Sequence, residues 1–183
     1  METNNHQWSE ATAHLNAQKL SPWFTPGFEA LFKSLITQTQ AHEGSLWIHE
    51  ANSNELVVAY NSGPKSNELQ NALRIPADEG LVGKCFSENK PFHHQGLFRH
   101  KSASHTVDKE LIQKTHDQAT VPFYLNSKLV GAITIVQLSD DKQRNQVNWG
   151  FNNDTLEFLE SFQTPLAELL ELGWHKASPP KLS

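Results

Sequence analysis

Two periods run through the apolar positions of this chain. After Thr25-Pro26, a hydroxyl cap followed by a proline suited to a first helical position, Phe28, Leu31, Phe32, Leu35 and Ile36 recur at spacings of three and four. They predict a helix that ends near Gln40 to Gly44. The period then shortens. Ser45 to His49 and Glu55 to Asn61 are rich in Leu, Trp, Ile, Val and Tyr, and Ala51-Asn52-Ser53-Asn54 between them is turn-like, which predicts an antiparallel hairpin. Asn61 to Asn71, with Gly63-Pro64, reads as a polar loop or a short helix. A longer hairpin is predicted from Ala119 to Tyr124 and Lys128 to Leu138, joined at Leu125-Asn126-Ser127; it should form the centre of the sheet, with buried faces supplied by Val121, Phe123, Leu129, Val130, Ile133, Ile135 and Val136.

Between the hairpins lies the most tightly punctuated stretch, Arg74 to Pro91. A short extended piece at Arg74 and Ile75 is stopped by Pro76. Gly80 then leads into a short helix carrying Leu81, Val82, Cys85 and Phe86, which Asn89 and Pro91 end. Backbone N–H groups at such a helix start favour an anion or a ligand's oxygen atoms. The plainer reading is a helix packed on a sheet. Pro91 to His94 predicts a further short strand, Gly96 to Thr106 a long mobile segment, and Val107 to His116 one short helix.

At the C-terminal end Ser139 to Gly150 reads as a polar connection. Asn153 begins a helix with Leu156, Phe158, Leu159, Phe162, Leu166, Leu169 and Leu170 on its buried side, which Pro165 either kinks or divides. The predicted organisation is a polar extension over residues 1–24, one domain over 25–172 and a disordered tail over 173–183.

Composition narrows the function classes. Hydrophobic residues make up 37% of the 183 and charged residues 19%, as in a globular protein with polar ends. The net charge is −5 and no Lys/Arg cluster stands out, which argues against nucleic acid as a partner. No apolar run is long enough for a membrane helix and the first twenty residues have no signal-peptide pattern, so a cytoplasmic location is expected. The single cysteine, Cys85, excludes an intramolecular disulfide and multi-cysteine metal sites.

The order of elements, with Arg74-Ile-Pro, Glu79-Gly80-Leu81-Val82-Gly83, Asn89-Lys90-Pro91-Phe92, Val121-Pro122-Phe123 and Leu129-Val130-Gly131-Ala132-Ile133-Thr134-Ile135, resembles a GAF domain over roughly Thr25 to Leu172. The resemblance implies an α+β fold: a central antiparallel sheet, N- and C-terminal helices on one face, and a loop-roofed small-molecule pocket on the other. It further implies a stand-alone sensor in signal transduction that pairs through its terminal helices as a homodimer. Neither the Asn-Lys-Phe-Asp-Glu motif of cyclic-nucleotide-binding members nor the cysteine context of bilin-binding members is present. The free-methionine-sulfoxide reductases of the family work with several cysteines, and this chain has one.

Candidate ligand contacts on this reading are Trp47, Tyr60, Arg74, the Gly80, Leu81, Val82 and Gly83 helix start, Phe92, His94, Val121 and Phe123. Arg74 would select an anionic ligand, a carboxylate or phosphate; its alternative is a surface ion pair with Asp78 or Glu79. His93, His94, His100 and His105 suggest metal or haem, but neighbouring strand residues point to opposite faces and no ligand spacing accompanies them, so no metal is assigned and no cofactor named. Cys85 sits on the apolar side of its helix, as a buried structural thiol would. The expected function is therefore ligand binding without catalysis. Two other readings stand beside it: a dimerisation or partner-docking module whose pocket is filled by side chains, and a redox enzyme using Cys85.

Overall fold

The computed structural model describes residues 8, 10–12, 15–95, 115–139 and 150–178. Helix α1 (Ala17–Leu20) and a 3-10 turn (Ser21–Trp23) lead to α2 (Pro26–Gln38), whose first turn is closed by Thr25 Oγ1 accepting from the Phe28 amide at 3.3 Å. Strands β1 (Glu43–Glu50) and β2 (Glu55–Asn61) form the first hairpin. Helix α3 (Ser66–Leu69), strand β3 (Arg74–Pro76), helix α4 (Gly80–Glu88) and strand β4 (Phe92–Gln95) follow. The long hairpin is β5 (Thr115–Leu125) and β6 (Lys128–Leu138). Asn126 and Ser127 both have positive φ in its two-residue turn, the geometry whose twist matches paired strands. Helices α5 (Asn153–Ser161) and α6 (Gln163–Ala177) complete the described chain.

All pairings are antiparallel and the strand order is β3-β2-β1-β6-β5-β4, so β1 and β6 lie at the middle. This is the α+β architecture expected from the sequence. Side chains alternate between the two faces. Leu46, Ile48, Val57, Ala59, Ala119, Val121, Phe123, Ile133 and Ile135 meet Phe28, Phe32, Leu35, Leu156, Leu159, Leu166 and Leu170 of the terminal helices in the larger core. Trp47, Leu56, Val58 and Ala132, on the opposite face, pack with Leu69, Leu73, Ile75, Ala77, Val82 and Cys85 in the smaller one.

Pro165 divides the last helix. Without an N–H it cannot continue the preceding ladder, and it sits instead in the first turn of α6, where that group would have no partner. The core also extends past residues 25–172. Trp8 is 3% exposed, with its ring 5.4 Å from that of Trp23 and 5.2 Å from that of Trp174. Leu15, Ala17, Leu20 and Trp23 are buried as well, so residues placed in a polar extension contribute core, and α6 runs on through the expected tail to Ala177. Gly173 permits this arrangement, because a Cβ there would collide with the Trp23 carbonyl oxygen. The expected mobile segment at Gly96 to Thr106, most of the helix expected at Val107 to His116, and residues 140–149 of the polar connection lie outside the described residues. His116 itself belongs to β5.

Candidate ligand site

The face turned away from the terminal helices carries two adjacent rows of polar side chains, fixed by strand register. Phe92 stands opposite Thr120, Thr120 opposite Thr134, Thr134 opposite Ser45, and Ser45 opposite Asn61, a line across β4, β5, β6, β1 and β2. One pair further along, His94 stands opposite Gln118, Gln118 opposite Val136, and Val136 opposite Glu43. Directly opposed residues share a face, and Thr120 and Thr134 alternate with the helix-facing Ala119, Val121, Ile133 and Ile135.

Thr120, Thr134, Asn61 and Glu43 are all buried. The Thr120 and Thr134 hydroxyls are 3.2 Å apart and hydrogen-bonded, and Gln118 Nε2 donates to Thr120 Oγ1 at 3.1 Å. Asn61 Nδ2 donates to Ser45 Oγ at 2.9 Å, while Asn61 Oδ1 accepts from the Gly63 amide at 2.7 Å. The Glu43 carboxylate lies against Gly63, where a Cβ would overlap it. Burial pushes the Glu43 pKa above its ordinary value, opposed in part by His42, Lys65 and the Asn61 hydrogen bond.

Trp47 is the next residue on this face of β1 after Ser45, and it is 3% exposed. Its Nε1 is buried with no hydrogen-bond partner among the described residues. Buried donors without a partner are uncommon and costly. Trp47 thus separates the polar rows from the apolar patch under α4.

The remaining sequence candidates divide between the two faces. Gly80, at φ +65°, starts α4; its first amides, those of Gly80, Leu81 and Val82, lack intrahelical partners as at any helix start, and Glu79 supplies no side-chain cap. Val82 is buried in the smaller core, and Gly83 is close to the Asp78 backbone, where a Cβ would come within 2.7 Å of its carbonyl carbon. Phe92 and His94 are half-buried on the polar side, with Lys84 Nζ 4.8 Å over the Phe92 ring.

Four candidates turn to the helix side instead. Val121 and Phe123 are fully buried in the larger core, because they alternate with Thr120 and Pro122. A bulge explains Tyr60. The register passes from Trp47 opposite Val58 to Leu46 opposite Tyr60, which leaves Ala59 unpaired and brings Ala59 and Tyr60 to the same face. Tyr60 then packs on Phe24, Phe28 and Phe32, with ring centroids 4.9–5.3 Å apart. Arg74 pairs with the helix-facing Val57, while its neighbour Ile75 takes the other side. Its Nη1 donates to Glu50 Oε2 at 2.8 Å and to Glu55 Oε2 at 3.3 Å, so its partners are neither a ligand nor Asp78 or Glu79.

His93 also faces the helix side, beside Ala119, and at the edge strand β4 it lines an open cleft of about 410 Å³ together with His94, Gln95, Phe151, Asn152 and Asn153. His100 and His105 lie outside the described residues. Among the described residues no three His, Cys, Asp or Glu side chains are grouped to hold a metal ion. Near this cleft Asp117 Oδ2 accepts from the Phe151 amide at 3.0 Å, Gln137 Oε1 from the Gly150 amide at 3.0 Å, and the Phe151 carbonyl from Gln95 Nε2 at 2.8 Å. These bonds fix the entry to α5. Cys85 is fully buried under the sheet, and burial, with a lesser push from Glu160, raises its thiol to about 12. Among the described residues no helix is long and apolar enough to cross a membrane.

Sequence reasoning missed Ser45, Asn61, Gln118, Thr120, Thr134 and Glu43. For Glu43 and Ser45 on β1 and for Gln118 and Thr120 on β5 the signal was available as polar residues two apart, whereas Asn61 lies beyond the bulge at Ala59, where alternation fails.

Among solved structures, the fold is similar to the GAF domain of a phosphoenolpyruvate-protein phosphotransferase from Coxiella burnetii, at 19% identity and TM-score 0.61, covering 96% of this chain and 94% of that one. The GAF-B domain of DevS from Mycobacterium smegmatis matches at 18% identity and TM-score 0.58, covering 82% and 94%. A free methionine-R-sulfoxide reductase from Neisseria meningitidis, solved in complex with its substrate, matches at 15% identity and TM-score 0.59, covering 88% and 89%. No family model and no curated protein matches the chain. The chain has the GAF fold.

Proposed function

We propose that this chain is a small-molecule-binding sensory module that acts in signal transduction as a homodimer, without catalytic activity of its own. The observation that carries the reading is the pair of polar rows on the sheet face opposite the terminal helices, a face shared by Trp47, whose indole N–H has no partner among the described residues. A sheet built only to pack would place apolar side chains at Thr120 and Thr134 and avoid the cost of desolvating two hydroxyls. A ligand site uses such groups for orientation while the neighbouring apolar patch supplies contact area.

Strands β1 and β6 offer a route from ligand to partner. Ser45 and Thr134 face the site, whereas Leu46 and Ile133, the adjacent residues, face the terminal helices. On this proposal a ligand that shifts β1 against β6 changes how α2 and α6 present themselves to a second copy, by population shift between two packings.

The similarity to a methionine-sulfoxide reductase raises an enzymatic reading. Cys85 weighs against it, because a thiol raised to about 12 supplies almost no thiolate at neutral pH. Rapid alkylation of the native protein at pH 7 would restore that reading. The principal test is native mass spectrometry of freshly purified protein beside its denatured mass. A dimer with an added small mass is expected. A monomer would remove the homodimer, and a protein that retains no mass and answers no ligand in a thermal-shift screen would remove the sensor.

A further inference from the structure

Helix α6 has an inner and an outer face. Leu166, Leu170 and Trp174 turn inward to the larger core, and Gly173 lies against the Trp23 carbonyl oxygen. On the opposite side, at spacings of three and four, stand Pro165, Glu168, Leu172 and Lys176, all exposed, with Leu169 and His175 half-buried beside them. Leu172 is 54% exposed, and no other large apolar side chain among the described residues is as open. A single exposed leucine is ordinary. The charges around this one are not evenly spread. Glu168 lies four residues before Leu172 and Lys176 four residues after it, each about 6 Å away along the axis. Neither has an ion-pair or hydrogen-bond partner among the described residues, whereas Glu171 and His175 on the neighbouring row lie 3.8 Å apart. If α6 paired in parallel with a second copy, glutamate would face glutamate and lysine would face lysine. An antiparallel pairing centred on Leu172 brings opposite charges together twice, with leucine on leucine between them.

We propose that α6 pairs antiparallel with α6 of a second copy about a two-fold axis at Leu172, so that Glu168 of each chain meets Lys176 of the other. The same patch is used on both chains, which closes the assembly at a dimer. Leu169 and Leu172 supply the apolar contact, and exposed Gly27, where a Cβ would come 3.5 Å from Leu169 Cδ2, keeps the α2 side of the seam low. Exposed ion pairs add little affinity, so the charges set the direction of pairing and the leucines its strength. This inference rests on the homodimer proposed above and gives it a geometry.

Cysteine cross-linking of the full chain under a mild oxidant tests it, since the native Cys85 is fully buried. Leu172→Cys is expected to give a covalent dimer. Glu168→Cys mixed with Lys176→Cys should link as well. Each alone should not, because the same residue in two antiparallel copies lies about 12 Å apart along the axis, outside disulfide reach. Sedimentation of charge variants gives a second reading: Glu168→Lys and Lys176→Glu are each expected to weaken the dimer at least about threefold, and the two together should restore it to within about twofold of the unmodified chain. Links from Glu168→Cys alone and from Lys176→Cys alone, or a dimer that forms no link in Leu172→Cys, would overturn the antiparallel pairing and leave the homodimer standing. A chain that sediments as a monomer at every concentration would overturn both.

Discussion

The hydroxyl pair at the centre of the polar row makes a prediction whose sign and order can be worked out. Among the described residues Thr120 Oγ1 has two partners, Thr134 Oγ1 at 3.2 Å and Gln118 Nε2 at 3.1 Å, whereas the Thr134 hydroxyl bonds Thr120 alone. Thr120→Val keeps the shape but strands the buried Thr134 hydroxyl and removes an acceptor from Gln118. Stranding a buried hydroxyl costs about 1–3 kcal/mol, and half-buried Gln118 recovers a bond from water, so the expected loss is about 2 kcal/mol. Thr134→Val leaves Thr120 with Gln118 and costs less, about 1 kcal/mol. The double variant replaces both partners with matched apolar groups and should cost less than the sum, with a coupling of about 1 kcal/mol. Urea denaturation of the four proteins, read as a shift in midpoint at constant slope, measures the cycle. Thr134→Val costing more than Thr120→Val, or strict additivity, would refute the hydrogen-bond assignment across this row.

Trp8→Ala should lower stability by about 3–5 kcal/mol, since an indole packed on Trp23 and Trp174 is lost from a site that is 3% exposed, and thermal unfolding will show it; a change below about 0.5 kcal/mol would mean that the N-terminal residues are not core. Glu43 predicts a pH effect. Its folded pKa is raised above the ordinary 4.5, so the unfolded state loses its proton first and stability declines as pH rises from 4.5 through the raised value. Glu43→Gln should lack that decline, and the difference between the two proteins' midpoints across pH 4 to 8 checks it. Cys85 acts in the same direction at alkaline pH. With the folded thiol at about 12 and an ordinary value of 9.0, stability should fall between those values, and Cys85→Ala should lose less over that window.

Much of the fold was legible because its signals are local. Thr25-Pro26 starts α2, Asn126-Ser127 turns the long hairpin, and Pro165 breaks the final helix, each through chemistry contained in a few residues. The termini were less legible. Trp8 and Trp174 are isolated aromatics among polar residues, and only their meeting over Trp23 makes them core. The site depended on which face each strand residue takes. Choosing by size put Val121 and Phe123 in the pocket, although Thr120 between Ala119 and Val121 already marked the polar side. Tyr60 could not have been placed by alternation at all, because the extra residue at Ala59 reverses the register beyond it. Arg74 was read for its charge, while the apolar neighbour Ile75 settles which side of β3 meets the smaller core.

The most direct test of a ligand site on this face is the indole N–H resonance of Trp47, assigned through Trp47→Phe, recorded as the small-molecule fraction released from the denatured protein is added back. The resonance should move downfield as an acceptor reaches Nε1, and the response should weaken in the Thr120→Val, Thr134→Val double variant. An unmoved Trp47 resonance while the indoles of Trp8, Trp23 or Trp174 shift would place binding on the helix side and contradict the account.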